Sequence, residues 1–369
     1  MCIIFILALS YIGYSSALGE ECQTRGRPGT CQRFSNCSYA IRLVLQNDRP
    51  DICEFEGIEP IICCPIQLAI IRTSSEPTLH IDRPITRSPL TDDVPLSIRQ
   101  CLKYHPKSDF FIAVSGGEKS LPQQFPHMAA VGFDEENAKQ WLCGGSLVSK
   151  KFVITAAHCL SSIQYGNAKW VRLGDLDLST TDDDAMPQDF TIIRRISHPD
   201  YQPPAKYHDI ALLELDRIVS FTLYVSPACL QTTTIINETE LTATGWGKTS
   251  FLGDASTHLM NVDLKEIDEI SCNKLYETTT TRLLPNGITG QMLICAGGDG
   301  GKDTCSGDSG GPLQVKNKGM SYSRVEVHTL VGVTSFGKAC GLGKTAGVYA
   351  RISYYVGWLE SIIWASEED

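Results

Sequence analysis

No apolar run in the sequence approaches the roughly 18 residues that a membrane-spanning helix requires, so no segment reads as a membrane anchor. Positive charge is also scarce: 32 Lys and Arg stand against 42 Asp and Glu, a formal net charge of −10. That balance excludes a nucleic-acid-binding surface, which draws its affinity from clustered cations, and leaves Arg25 and Arg27 as ordinary solvated surface. Helical periodicity is missing from most of the chain. Only the C-terminus carries it clearly, where Ile352, Tyr355, Val356, Leu359, Ile362 and Ile363 recur at steps that keep them on one face. Elsewhere, short runs such as Phe152-Val153-Ile154, Trp170-Val171-Arg172-Leu173, Ile210-Ala211-Leu212-Leu213 and Leu330-Val331-Gly332-Val333 are punctuated by Gly, Pro and Asn. Many short strands predict an all-β barrel or sandwich.

Cysteine, by contrast, is abundant, with 15 in 369 residues. Disulfides persist mainly in oxidising compartments, so the count points to a secreted protein. The first residues agree: Ile3 to Ile12 form a short apolar run, and Ser15, Ala17 and Gly19 supply small residues for cleavage, although no Lys or Arg precedes the run. Residues 1–19 are therefore read as a signal peptide. Its removal takes Cys2 and leaves Cys22, Cys31, Cys37, Cys53, Cys63, Cys64, Cys101, Cys143, Cys159, Cys229, Cys272, Cys295, Cys305 and Cys340, an even set that could pair completely.

Six of these fall between Cys22 and Cys64, in a segment (residues 20–65) too short to bury a self-sufficient core without cross-links. Six cysteines alone permit fifteen connectivities. From Ile66 to Phe110 the text turns to Pro, Ser, Thr and charged residues without a useful period, which predicts a linker over residues 66–113. The β-rich remainder, residues 114–369, is the expected second folding unit.

The chemistry is concentrated there. Thr304-Cys305-Ser306-Gly307-Asp308-Ser309-Gly310-Gly311-Pro312 sets one serine in a glycine-bearing turn, with Ser309 as candidate nucleophile. A serine hydroxyl needs a positioned base, and His158 follows the Phe152-Val153-Ile154 run. Its imidazole needs a carboxylate to fix its tautomer, and Asp209 stands immediately before an apolar run where burial is expected. The G-x-S-x-G pattern of α/β-hydrolases is also met but fails on order. After Ser309 the only histidine is His328, no Asp lies between them, and Pro312 interrupts the helix that should follow.

Leu142-Cys143-Gly144-Gly145-Ser146-Leu147, Thr155-Ala156-Ala157-His158-Cys159, Gly245-Trp246-Gly247 and Gly307-Asp308-Ser309-Gly310-Gly311-Pro312 resemble the trypsin and chymotrypsin family from Val114 to about Trp364. The resemblance implies two six-stranded antiparallel β-barrels with a C-terminal helix, the triad in the cleft between them, and an oxyanion hole from the Gly307 and Ser309 N–H groups. It implies bridges Cys143–Cys159, Cys272–Cys295 and Cys305–Cys340. It also puts Asp303 at the base of a substrate pocket walled by Ser335, Gly337 and Gly347, selecting Arg or Lys because a buried carboxylate is costly until a cation neutralises it. The six-cysteine knot, with its adjacent Cys63-Cys64, resembles the clip domain of arthropod clip-domain serine proteases. That likeness implies pairs Cys22–Cys63, Cys31–Cys53 and Cys37–Cys64, and a tether from Cys101 to Cys229.

By the same resemblance Val114-Ser115-Gly116-Gly117 is the activation site: cleavage after Ala113 frees an amine that pairs with Asp308. Ser115 stands where the family usually has Val or Ile, and Ala113 where many relatives carry Arg or Lys. An Arg/Lys-selective pocket would not cut after Ala113, so the expectation is a zymogen needing an upstream protease. A cut after Lys107 would leave six extra residues before Val114. Asn237-Glu238-Thr239 is a glycosylation acceptor pattern, and Asn36-Cys37-Ser38 a formal second one. Asp175, Asp177 and Asp182 to Asp184 could hold Ca²⁺, but a solvated acidic loop is the favoured reading, so no metal or other cofactor is assigned. The expected function is an Arg/Lys-specific endopeptidase of an extracellular, haemolymph-like fluid, acting in an immune or developmental cascade. Its expected partners are an upstream activator, a downstream zymogen or other protein substrate, and a serpin-type inhibitor. A non-catalytic binding homologue and a digestive trypsin are the alternatives.

Overall fold

The computed structural model describes residues 18–33, 37, 39–40, 43, 50–56, 59–65, 94–105, 119–135, 138–180, 183, 185–236, 240–248, 253–277, 279, 282–298, 307–317, 326–337 and 346–365. The chain divides into two compact units, Met1–Val94 and Pro95–Asp369.

In the first, β1 (Glu21–Thr24), β2 (Arg27–Arg33), β3 (Ile52–Glu56) and β4 (Glu59–Pro65) form an antiparallel sheet in the order β1-β2-β4-β3. Successive side chains on a strand point to opposite faces, so the neighbours Cys63 and Cys64 on β4 staple the sheet on both sides. Cys63 bridges to Cys22 on β1 and Cys64 to Cys37, while Cys31 on β2 bridges to Cys53 on β3. The family pairing is therefore the observed one. Each bridge closes a loop with sequence separation 41, 22 or 27 and contributes roughly 3–4 kcal/mol in a chain-entropy picture. Among the described residues of this unit the buried apolar side chains are Cys31, Cys37, Ala40, Leu43, Ile61, Ile62 and Cys63, with Val94 at its boundary, a small core that such cross-links reinforce.

The second unit holds two barrels. Strands β5 (Met128–Glu135), β6 (Ala138–Leu147), β7 (Phe152–Thr155), β10 (Trp170–Leu173), β11 (Gln188–Ser197) and β12 (Ala211–Leu215) close in the order β10-β11-β12-β7-β6-β5, with the hairpin β8 (Ser161–Ser162) and β9 (Gly166–Asn167) beside them. The second barrel comprises β14 (Leu241–Gly245), β15 (Met260–Ile267), β16 (Leu293–Gly297), β17 (Pro312–Lys316), β18 (His328–Gly337) and β19 (Gly347–Arg351). It runs β18-β17-β14-β15-β16-β19 and closes by pairing β18 with β19, while β13 (Cys229–Leu230) adds to β18 in parallel.

The continuous apolar runs in the sequence follow from burial on both faces of these strands. On β5, Ala129, Val131 and Phe133 fill the first barrel, whereas Met128 and Ala130 pack outward with Phe125, Leu176, Trp246 and Leu259. On β7 and β12 the division repeats: Val153, Leu213 and Leu215 point into the barrel, while Phe152, Ile154 and Leu212 join the cluster shared with Leu330, Val333 and the C-terminal helix. That helix, Ile352–Ile363, buries Ile352, Tyr355, Leu359 and Ile363, the face expected from the sequence.

Leu96–Tyr104 and Glu269–Tyr276 are helices that were not legible in the sequence. Leu96–Tyr104 falls inside the stretch read as linker, yet it belongs to the second unit and buries Ser97, Ile98, Gln100 and Cys101. Its Ser97 N–H donates to Glu360 Oε1 at 2.7 Å, and Cys101 bridges to Cys229. The second unit therefore takes in part of the stretch read as linker, held there by a bridge, polar anchors and the apolar side chains of Leu96, Ile98, Leu102 and Tyr104. Glu269–Tyr276 is capped by Asp268, whose carboxylate accepts the Ser271 N–H at 2.9 Å, and is pinned by Cys272–Cys295.

Candidate active site

The register of the first barrel brings the candidate base and acid together. Thr155, at the end of β7, pairs with Ala211, at the start of β12. His158 lies three residues beyond Thr155 and Asp209 two before Ala211, so both leave the ladder at the same end of the barrel. The His158 turn, Ala157–Leu160, is fixed by Cys143–Cys159, which ties it to β6.

Asp209 is 1% exposed and accepts from two groups of His158, the backbone N–H at 2.9 Å and ring Nδ1 at 2.7 Å. A third donor, the Ser335 hydroxyl from β18, reaches the same oxygen as Nδ1. Burial by itself would push this carboxyl up; the hydrogen bonds from His158, the imidazole's charge and the Ser335 bond outweigh it and hold Asp209 below the usual carboxylate range. The imidazole side chain remains 29% exposed, so its far edge can meet a substrate while its near edge is locked. An Nδ1–H donated to Asp209 leaves Nε2 as the nitrogen able to take a proton.

Ser309 approaches this pair through its backbone. Its carbonyl accepts the Gly144 N–H at 2.8 Å and lies 3.5 Å from Cys159 Sγ, beside His158. The next residue, Gly310, has φ +79°, and a Cβ there would stand 2.2 Å from Thr155 Oγ1 and 2.6 Å from Gly144 O. Only glycine lets the serine turn sit so close to the strand that carries the histidine. Gly307, also glycine at positive φ (+103°), opens the same turn.

Asp308, the expected partner of a new N-terminus, packs its carboxylate against Gly245-Trp246-Gly247. Oδ1 accepts the Gly247 N–H at 2.9 Å, and a Cβ on Gly247 would lie 2.5 Å from that carboxylate. The two glycines of that motif thus make room for an acid. Gly337 and Gly347, the expected pocket walls, are cross-strand partners of β18 and β19. Residues 299–306 and 338–345 lie outside the described residues, and with them Asp303, Cys305 and Cys340; so do Ala113, Val114 and Asn237. In the acidic loop, Asp175 pairs with Arg172 at 3.1 Å, the Asp177 N–H donates to Asp183, and Asp182 and Asp184 are not described.

Residues 114–359 match the Trypsin family profile. The chain belongs to the trypsin family. Within it, this protease is 38% identical to Serine protease snk of Drosophila melanogaster over 91% of the chain and 76% of that protein. It is 35% identical to CLIP domain-containing serine protease B4 of Anopheles gambiae, over 94% of the chain and 93% of the relative. Proclotting enzyme of Tachypleus tridentatus is 32% identical, over 92% and 89%. The protease is thus an arthropod-type clip-domain serine protease, its disulfide knot and its two barrels both accounted for.

Sequence reasoning assigned Ser335 to the substrate pocket, and the hydroxyl is found on Asp209. Tyr201 went unnoticed: burial, with the Asp209 charge, pushes its phenol up to about 12. The Ser335 contact has no local signature, because it joins residues 126 positions apart. Among the described residues, no helix is long and apolar enough to cross a membrane.

Proposed function

We propose that this trypsin-family protease is a secreted zymogen whose mature form cleaves proteins after Arg or Lys in an extracellular cascade. In this reading His158 is the general base, Asp209 its orienting carboxylate and Ser309 the nucleophile, with the Gly307 and Ser309 N–H groups as oxyanion hole. One observation carries it: an imidazole held through Nδ1 by a buried, triply hydrogen-bonded carboxylate, with a glycine-flanked serine turn packed against the same strand end. A histidine serving only packing has no need of an ionised carboxylate at 1% exposure, whose burial costs several kcal/mol unless it is compensated.

The acyl-transfer step follows from these groups. His158 Nε2 removes the Ser309 proton as Oγ attacks the scissile carbonyl, Asp209 stabilises the imidazolium, and the proton then passes to the leaving amine. Water repeats the cycle to release the acid. Asp303 supplies the charge that selects a basic side chain, and cleavage after Ala113 by a different protease switches the enzyme on by delivering the Val114 amine to Asp308. Similarity to a proclotting enzyme and to clip-domain proteases supports a place among sequentially acting proteases, with a downstream zymogen as substrate and a serpin-type protein as inhibitor.

The test uses full-length zymogen carrying Ala113→Arg, cut with trypsin and assayed on short Arg, Lys, Phe and Ala chromogenic peptides beside a Ser309→Ala control. Turnover confined to Arg and Lys and absent from the control is expected. A chain cut before Val114 that turns over nothing would make it a binding homologue instead.

A further inference from the structure

His198 and His208 stand ten positions apart in sequence, on the two sides of a loop that leads into Asp209. Their imidazoles meet in the structure, stacked with centroids 5.0 Å apart and planes 13° from parallel. A turn closed by the Tyr201 N–H on the His198 carbonyl, 3.1 Å, brings Asp200 back, and its carboxylate lies 3.9 Å from His198 Nδ1. One nitrogen of each ring and one oxygen of Asp200 fall within 4.8 Å of one another. Neither histidine, nor Asp200, has a part in the acyl-transfer chemistry above.

We propose that His198, Asp200 and His208 form a transition-metal site of the Zn²⁺ class, whose occupancy slows the protease by displacing Asp209. The first half stands on the donor set alone; the second rests on the function proposed above. Two imidazoles and a carboxylate suit Zn²⁺ and its neighbours, whereas Ca²⁺ requires six to eight oxygens. Bonds of about 2.0–2.2 Å in tetrahedral geometry separate ligand atoms by roughly 3.2–3.6 Å, so the three donors have little more than about 1 Å to close. Binding requires rearrangement of the rings: the His198 Nδ1 lone pair accepts the Asp200 N–H at 3.2 Å and must give up that bond, and one of the two stacked rings must turn so that both nitrogens face one ion. The Tyr355 hydroxyl lies 3.4 Å from His208 Nδ1, leaving Nε2 of that ring to ligate while the phenol orients it. The Asp200 side chain is 71% exposed and can swing inward, and water can complete the shell.

The link to catalysis runs along the backbone on both sides of Asp209. His208 precedes it directly, held at φ +56°, a region that a side chain of this size rarely adopts. Ile210 follows it, and its carbonyl accepts the His198 N–H at 3.0 Å. A metal that draws the two rings together therefore pulls on both neighbours of the carboxylate that positions His158. Displacements near 1 Å in a catalytic constellation cost on the order of 10²-fold in rate.

Two arms test this. First, Co²⁺ is titrated into the full chain carrying Ser309→Ala, and its visible d–d absorption is followed. Saturation at one equivalent is expected, with the signal lost in His198→Gln, Asp200→Asn and His208→Asn, the last chosen because Asn tolerates positive φ; circular dichroism confirms that each variant folds. Second, Zn²⁺ is added to the activated protease. A fall in kcat of at least tenfold, reversed by a chelator and absent from Asp200→Asn, is expected. No cobalt signal, or one unchanged by all three substitutions, overturns the site. Inhibition that persists in Asp200→Asn, or metal binding without inhibition, overturns the brake. A protease inactive before metal is added sinks the proposed function and the brake with it, while the cobalt titration still decides the site.

Discussion

Asp209 concentrates more of the chemistry than any other described residue. Its two oxygens satisfy a backbone N–H, an imidazole N–H and a serine hydroxyl, and the sign of its shift follows from those partners outweighing burial. Replacing it with Asn keeps the shape but offers an N–H₂ where an acceptor is needed, turning the imidazole to the wrong tautomer. Asp209→Asn is therefore expected to lower kcat by about 10⁴-fold with KM little changed, measured on the activated protease with an Arg peptide. A loss below about tenfold would mean that His158 finds its tautomer elsewhere. The pairing of His158 with Asp209 was legible in sequence because each sits in a short motif with its own chemical demand. Ser335 on Asp209 was not, since a hydroxyl on a distant strand leaves no local mark.

At the level of elements, the Leu96–Tyr104 helix shows where sequence patterning loses its grip. Its stability is tertiary: Cys101 bridges to Cys229, Ser97 N–H binds Glu360, His105 Nε2 lies 2.8 Å from the Pro227 carbonyl, and Trp364 Nε1–H donates to Tyr104 at 3.1 Å. Five of its nine residues are apolar, but nine residues fall short of the 11–18-residue window over which a helical period can be read. The strands were readable for the opposite reason, since two-sided burial demanded unbroken apolar runs. The Cys101→Ser/Cys229→Ser double variant of the intact chain is expected to lose about 2–4 kcal/mol, a Tm drop of roughly 5–12 °C by calorimetry. An unchanged Tm would mean that the polar anchors alone hold the helix.

For the whole molecule, acid is the expected weak point. His127 and His328 are 1% and 3% exposed, with ring centroids 5.3 Å apart. Burial holds His127 down at about 4, its bond with Gln314 only partly offsetting this and His105 adding to it. Burial likewise holds His328 well below its ordinary value, helped by His127 and Lys316 and opposed by a bond to Glu326. Unfolding restores ordinary histidines, so between pH 6.5 and about 4 the unfolded chain binds more protons. Stability present above that window is lost as pH falls through it, by a few kcal/mol. Calorimetry should show Tm falling steeply from pH 7 to pH 4.5, and less steeply in His127→Gln. Parallel slopes would assign the acid sensitivity to other groups. The all-β class was legible from the short apolar runs and the two-barrel plan was implied by the family resemblance, whereas this buried pair was not legible, because Pro126-His127 and Val327-His328 look like loop and strand edge until both are brought together.

The pairing of Thr155 with Ala211 has one more consequence. A slip of one position between β7 and β12 would turn the barrel-facing side chains of one of them, Val153 or Leu213, outward and move His158 and Asp209 out of register by about 3.4 Å, so misregistered chains possess no weakened version of the site, only none. Turnover per molecule in a refolding mixture therefore counts correctly threaded chains directly, and a partially active preparation is a mixture of perfect and blank copies rather than a population of mediocre ones.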